Sequence, residues 1–351
     1  MSNRIEWLDI AKGIGIIFVI FAHVTTISPA LLNYIYSFHM PLFFFISGYL
    51  FSNAKYKTLK SFAKKKAQTL IVPYFIFSII SFIYWALIQI RMGDDTRHPS
   101  VLLNFFGIFY SNPSYHSMSY NVPLWFLTCL FSTEMIFFLL KKRIEKKLYL
   151  ILSLVLFSIL GYLYSLYVPF KMPWSIDVAF SAIVFYGAGY LFKSINLKDC
   201  FLDKFSTIPL VLLIIPVNYI LSQFNLQIDM ALNDLHNYFL LYSGAFLGIF
   251  CWISISYMIK NSRFLTYLGK NSLIIFGLHL KVPVDFFDHR VLGINAKIVN
   301  GTLYGVIDTI ITLVAILPVI WIINRFFPFI LGKSRGIADE ITLKEELPTE
   351  D

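Results

Sequence analysis

Long apolar stretches alternate with short polar segments along almost the whole chain. A helix that crosses a bilayer needs about 20 mainly apolar residues, and stretches close to that length recur as far as residue 327. The pattern predicts an all-α, polytopic membrane protein with about ten transmembrane helices. The predicted spans are residues 7–26, 36–52, 70–91, 121–140, 148–167, 176–193, 207–222, 238–259, 271–288 and 303–327.

The composition agrees with this pattern. Of 351 residues, 58% are hydrophobic and only 14% are charged, whereas about a quarter of the residues in a soluble protein are charged. The net charge of +9 would suggest nucleic-acid binding in a soluble protein. Here the basic residues lie in short segments between apolar stretches, so we interpret them as signals for membrane orientation and expect no nucleic-acid partner.

The distribution of Lys and Arg predicts the orientation of the spans. With the N-terminus in the cytoplasm, 22 basic residues fall on the inside and six on the outside, and Lys12 lies within the first span. Cytoplasmic loops carry the excess of Lys and Arg, so both termini are predicted to be cytoplasmic. We expect a transmembrane domain over residues 1–331 and a disordered cytoplasmic tail over 332–351, which is charged and short of apolar residues.

Three ionisable residues lie in the first predicted span: Asp9, Lys12 and His23. Ionisable groups are costly inside a bilayer and are candidates for function. Asp9 and Lys12 are three residues apart and can pair. His23 lies about three helical turns beyond Lys12, on the same face and ~16 Å along the axis. Two structural alternatives remain open: an interfacial ion pair that sets helix depth, and a hydrogen bond between helices from His23.

The second predicted span contains a histidine, a proline and a small-residue pair. His39 is predicted near the outer face, and Pro41 suits the first turn of a helix. Ser47 and Gly48 allow another backbone to approach closely. The aromatic residues between them are best explained by packing. The longest outside loop, 92–120, is rich in Ser, Asn and Tyr, and two interpretations stay open for it: selection of a ligand and variable surface decoration.

Together these motifs resemble bacterial membrane acyltransferase family three, which includes surface-polysaccharide O-acetyltransferases and the fucose O-acetylase-like branch. The resemblance covers about residues 4–331. Two positions depart from the family pattern, since Lys12 stands where Arg is frequent and Thr69 replaces the second of two basic residues. The matching segments are Leu8-Asp9-x-x-Lys12-Gly13, His23, Phe38-His39-Met40-Pro41-Leu42-Phe43-Phe44, Ser47-Gly48-Tyr49, Pro123-Leu124-Trp125-Phe126-Leu127 and Leu278-His279.

The resemblance implies transfer of an acetyl group from cytoplasmic acetyl-CoA to a hydroxyl of a cell-surface polysaccharide or its lipid-linked precursor. It implies a multi-pass protein of the bacterial inner membrane, in contact with membrane lipids. Lys12, Lys66 and Lys65 would bind the phosphates of the donor, although the last two also fit a pure topology signal. Asp9 would orient Lys12.

His23 would act as the general base towards the acceptor or would carry the acetyl group briefly as an acyl-imidazole. His39 would assist it. Ser47 would donate a hydrogen bond to the developing oxyanion. Trp125 would stack on a sugar, unless it belongs to an interfacial aromatic belt, and His279 has either a substrate-binding or a structural role. No metal-ligand spacing occurs, and no metal is expected.

Two other functions fit a bundle of this kind. A transporter or flippase for an envelope precursor could use the same intramembrane charges as a substrate path. A sensor or scaffold for other envelope enzymes is the third hypothesis. An arrangement of Lys12, His23 and His39 along one path favours the enzyme. A transporter does not need a general base that is connected to a site for an acyl donor.

Overall fold

The computed structural model describes residues 5–23, 27–52, 56–90, 100–195, 204–280 and 301–332. Helices and short 3₁₀ turns make up the regular structure of these residues, so the all-α prediction is confirmed. The helices are α1 Glu6–Ala22, α2 Pro29–Leu50, α3 Leu59–Gln89, α4 Val101–Tyr110, α5 Trp125–Arg143, α6 Lys147–Tyr167, α7 Ile176–Phe192, α8 Lys204–Gln223, α9 Tyr238–Ile259, α10 Arg263–Lys270, α11 Ser272–Leu278 and α12 Gly301–Phe326.

Seven helices of the described chain are long and apolar enough to cross a bilayer: α2, α3, α5, α6, α7, α9 and α12. The protein is therefore a multi-pass membrane protein. α1 has 17 residues, and the apolar part of α8 is Thr207–Gln223, so both are short for a span. The exact number of ten spans and the cytoplasmic termini stay predictions. The part of the predicted ninth span beyond residue 280 and the tail beyond Gly332 lie outside the described residues.

The spanning helices form a buried core and a lipid-facing periphery. In the most apolar window of each helix, 72% of the residues are buried in α5 and 67% in α2, against 22% in α6. α2 packs against α1, α7, α8 and α9. The outward side of α6 exposes a row of large apolar side chains, including Leu148, Leu152 and Leu156. Lipid takes the place of protein on that face, so the polar residues of interest lie among the core helices.

The start of the second span was predicted wrongly. α2 begins at Pro29, where the Ser28 hydroxyl accepts a hydrogen bond from the Leu31 N–H, and Pro41 lies in the middle of the helix rather than in its first turn. A proline removes one N–H donor, and a membrane helix tolerates this when its neighbours pack around it. His39 therefore lies about three turns into α2 rather than at its outer end.

The third span also begins earlier than predicted. α3 starts at Leu59, so Lys60 and Lys64–Lys66 form the first turns of the same helix, which includes π turns at Ala67–Ile71 and Trp85–Gln89. The first π turn precedes Pro73, whose missing N–H interrupts the regular bonding. The predicted 92–120 loop contains a helix, α4, which is too short to span.

Two glycine contacts fix how the core helices approach each other. A Cβ atom on Gly48 would collide with the backbone of Tyr186 in α7, and one on Gly269 would collide with the backbone of Asp9 in α1. The first contact confirms the close approach predicted for Gly48. The second seats α10 against the start of α1, beside the Asp9–Lys12 pair.

Candidate active site

A cavity lies at the end of the bundle where α1 stops. We call it the histidine cavity. His23, the first residue after α1, lines it together with His39 of α2, and Trp125 at the start of α5 forms part of the wall. The described residues that line it are Val19, His23, Tyr36, His39, Met40, Val122, Pro123, Trp125, Ile228, Asp229, Met230, Ala231 and Phe276.

Three histidines at this end of the bundle share one local geometry. The Nδ1 of His23 bonds to the Val19 carbonyl at 2.7 Å, and that of His39 bonds to the Ile35 carbonyl at 2.9 Å. The Nδ1 of His279 bonds to the carbonyls of Ile275 and Phe276 at 3.1 and 3.0 Å. A carbonyl only accepts, so each Nδ1 carries a proton, and each neutral ring holds its lone pair on Nε2.

His23 connects the cavity to the third histidine. The rings of His23 and His279 meet edge to face, with centroids 5.1 Å apart. His279 is fully buried, and its Nε2 has no hydrogen-bond partner within the described part of the chain, although buried polar atoms are normally bonded. The structure thus brings together His23, His39, His279 and Trp125, which came from four separate segments of the sequence.

Two further cavity residues were missed from the sequence. The ring of Tyr36 lies 5.0 Å from the ring of His39, one turn along α2. Asp229 comes from the loop between α8 and α9, and among the described lining residues it is the one with a carboxylate. No sequence signal marked Asp229, because a carboxylate in a polar loop is ordinary until the fold shows what the loop covers.

The predicted Asp9–Lys12 pair forms at the other end of α1. Lys12 Nζ lies 3.7 Å from Asp9 Oδ1, with the Asp9 side chain buried and Lys12 about a quarter exposed. Ser47 lies at this end too, because Tyr49 packs on Trp7 and Phe43 lies beside Gly15. We call this region the lysine end. Ser47 does not line the histidine cavity and lies about 12 Å along α2 from His39.

Lys66 is paired with a residue that sequence reasoning did not select. Its Nζ lies 2.6 Å from Oε1 of Glu134 in α5, and the Glu134 carboxylate is almost fully buried. The Tyr186 hydroxyl lies 3.5 Å from the same oxygen. A carboxylate within an apolar stretch is a signal that could have identified Glu134. Lys65, one residue before Lys66, is exposed.

Comparison with known proteins identifies the family. A family model described as an acyltransferase domain matches residues 5–325, nearly the whole chain. The chain belongs to membrane acyltransferase family three. No curated protein and no solved structure matches the chain. The predicted family is therefore confirmed, and the match does not separate the fucose O-acetylase-like branch from the others.

In this acyltransferase the two ends of α1 carry different chemistry. The histidine cavity reaches Val19 on α1 and includes neither Lys12 nor Lys66. Lys12 lies two turns before Val19, about 10 Å along the axis. Across the described residues, no three His, Cys, Asp or Glu side chains are arranged to hold a metal ion. One end therefore offers imidazoles whose neutral form holds its lone pair on Nε2, and the other end offers the paired cations Lys12 and Lys66.

Proposed function

We propose that this acyltransferase moves an acetyl group from cytoplasmic acetyl-CoA to a hydroxyl of a cell-surface polysaccharide or its lipid-linked precursor, in the bacterial inner membrane. The observation that carries the proposal is the histidine cavity of a chain in this family. There the Nδ1 of His23 is bonded to the Val19 carbonyl, so its Nε2 is the ring nitrogen that can accept the proton of an acceptor hydroxyl.

In the proposed reaction, His23 is the general base. Its Nε2 takes the proton of the acceptor hydroxyl while the hydroxyl oxygen attacks the thioester carbonyl carbon. The C–O bond forms, the C–S bond breaks, and the thiolate of coenzyme A leaves and takes up a proton. The bond from Nδ1 to the Val19 carbonyl at 2.7 Å holds the ring in the tautomer that this step needs. An acyl-imidazole on the same Nε2 is the alternative route.

His39 and His279 support His23 in this scheme. His39 lines the same cavity with its Nδ1 anchored, so its Nε2 can accept a hydrogen bond from the acceptor. His279 touches the His23 ring and can fix its orientation or take the proton onward. Trp125 supplies an aromatic wall on which a sugar ring can stack.

The lysine end is proposed to bind the donor. Lys12, Lys66 and Lys65 are cations at the end that the Lys and Arg distribution assigns to the cytoplasm, and the phosphates of coenzyme A are anions. Asp9 and Glu134 hold Lys12 and Lys66 in place. The thioester sits at the end of a long flexible arm, which would have to pass along the two turns of α1 between Lys12 and Val19 to reach His23.

Labelled acetyl-CoA tests the proposal. Inside-out bacterial membrane vesicles that contain the protein are given acetyl-labelled donor, and envelope glycans are then extracted and treated with mild base. We expect base-labile labelled acetate only in vesicles that carry the protein. Unchanged glycans with no donor consumed would contradict acetyl transfer, and movement of unmodified envelope precursor across the vesicle membrane would favour the transporter alternative.

A further inference from the structure

The loop between α8 and α9 closes one side of the histidine cavity. The backbones of Asp229 and Asp234 form two hydrogen bonds of 2.9 Å with each other, and these bonds close the loop into a tight turn. Between them lie the 3₁₀ turn Met230–Leu232 and Asn233, whose φ of 54° is left-handed. Ile228, Met230 and Ala231 turn their side chains inward and are buried, so this segment packs as part of the core.

Side chains from α6, from α7 and from the segment between them tie this loop to the bundle. Asn233 Nδ2 donates to Oδ2 of Asp177 in α7 at 3.2 Å, with both residues buried. Lys171 Nζ donates to the Leu232 carbonyl at 2.8 Å, and the Tyr162 hydroxyl donates to the His236 carbonyl at 2.7 Å. The position of Asp229 at the cavity wall is therefore set by the bundle.

Asp229 presents a fixed carboxylate to the cavity. Its Oδ1 accepts from the N–H groups of Ala231 at 2.9 Å and Leu232 at 3.3 Å, which fixes the side chain. Oδ2 accepts no hydrogen bond from the residues that the structure describes and can bind a ligand. Tyr36 lines the same cavity, next to His39. Burial raises the pKa of the Asp229 carboxyl, while its bonds to the Leu232 and Ala231 N–H groups act in the opposite direction.

We propose that Asp229 and Tyr36 form the acceptor subsite and select an uncharged sugar over an acidic one. This inference rests on the proposed function. A carboxylate accepts hydrogen bonds from sugar hydroxyls and binds them more strongly than a neutral acceptor does. It repels the carboxylate of a uronic acid in a space whose other lining residues are mainly apolar. Trp125 on the cavity wall gives the ring of such a sugar a surface to stack on.

Asp229→Asn is a sharp test because asparagine also caps a helical turn. The variant retains the bonds to Ala231 and Leu232 through its side-chain oxygen and replaces Oδ2 with an amide. Asp234→Asn is the matched control, since it removes a carboxylate from the same loop that is more than half exposed and absent from the cavity lining.

Binding is measured without the donor. The purified protein in nanodiscs at pH 8 is treated with diethyl pyrocarbonate, which acylates neutral imidazoles, and modification of the His23 peptide is followed by mass spectrometry. Three neutral methyl glycosides, of glucose, galactose and mannose, are compared with their three uronic acids as protecting ligands. We expect at least one neutral sugar to protect about tenfold better than its acid, and Asp229→Asn to reduce that protection at least about fivefold.

Separate outcomes separate this inference from the proposed function. Three results would overturn the subsite. The neutral sugars and their uronic acids could protect His23 equally well, or none of the six compounds could protect it. The Asp229→Asn variant could also bind the neutral sugars as well as Asp234→Asn does. Acetate transfer to envelope glycans could still be found in that case. Conversely, protection of His23 that depends on Asp229, without any acetyl transfer, would support the subsite and contradict the acetyltransferase function.

Discussion

The histidine cavity and the lysine end differ in how their polar groups are satisfied. At the lysine end the cations sit beside carboxylates, with Lys66 and Glu134 2.6 Å apart and Lys12 and Asp9 3.7 Å apart. In the histidine cavity the rings of His23 and His39 are anchored through Nδ1, and beside them the buried Nε2 of His279 has no partner among the residues that the structure describes.

This difference indicates a division of labour. Paired cations are stable without ligand, and a lysine ammonium has three N–H donors, so it can bind a phosphate while its carboxylate partner stays in place. An imidazole that lacks a partner on Nε2 gains one when a substrate hydroxyl arrives. The first arrangement suits binding of a charged donor, and the second suits proton transfer to or from an acceptor.

The largest expected effect is on His23. His23→Ala removes the proposed base, so we expect the rate of acetyl transfer to fall by about 10²- to 10⁴-fold, measured with acetyl-labelled donor in vesicles. His116→Asn is the control, because His116 is an exposed histidine with a left-handed φ of 56° that asparagine adopts readily. Retention of wild-type transfer by His23→Ala would exclude its role as base or acyl carrier.

The second prediction concerns the stability of the lysine end. Lys66→Met leaves the buried Glu134 without its cation, so we expect the free energy of unfolding to fall by about 2–4 kcal/mol. Adding Glu134→Gln should recover part of that loss, with a coupling energy of about 1–3 kcal/mol, measured by denaturation in detergent. Lys141 lies on the same helix as Glu134, α5, and contacts Tyr190 instead. Lys141→Met should therefore show no coupling with Glu134→Gln. If the stability losses of Lys66→Met and Glu134→Gln simply added in the double variant, the ion pair would not stabilise the fold.

The sequence predicted most of the helices because their apolar length is a local property. Seven of the ten predicted spans correspond to helices long enough to cross the membrane, and the Asp9–Lys12 pair follows from spacing on one helix. The start of α2 was missed although Ser28-Pro29 is a regular helix-start signal. The predicted start was based on the length of the continuous apolar stretch. The polar residues before that stretch were assigned to the loop, so the first turns of α2 were left out.

The missed site residues depend on contacts between distant segments. Glu134 pairs with Lys66, 68 positions earlier, and Asp229 reaches the cavity because Asn233 is tied to Asp177, 56 positions earlier. Spacing on a single helix cannot reveal either relationship. Composition cannot separate Asp229 from the exposed Asp234 five residues later, since only the fold decides which of them faces the cavity.

The third prediction asks whether the two ends act on different substrates. Lys12→Ala removes one cation from the proposed donor site, so we expect the KM for acetyl-CoA to rise about tenfold, as for loss of one charged contact. The KM for the acceptor should stay within about twofold. Lys142→Ala removes an exposed cation from the end of α5 and serves as the control. Equal increases in both KM values would show that the ends are not separate sites.

The smallest expected effect is on Ser47, and it bears most directly on where the reaction occurs. An oxyanion donor must lie about 3 Å from the developing charge, whereas Ser47 lies about 12 Å along α2 from His39 and outside the histidine cavity. We therefore expect Ser47→Ala to change kcat by less than about twofold. Gly48→Ala, one residue later, should abolish folding because its Cβ would collide with the Tyr186 backbone. If Ser47→Ala instead lowered kcat about 100-fold in a protein that folds normally, the acetyl group would be transferred near Lys12, and His23 would lie too far away to be its base.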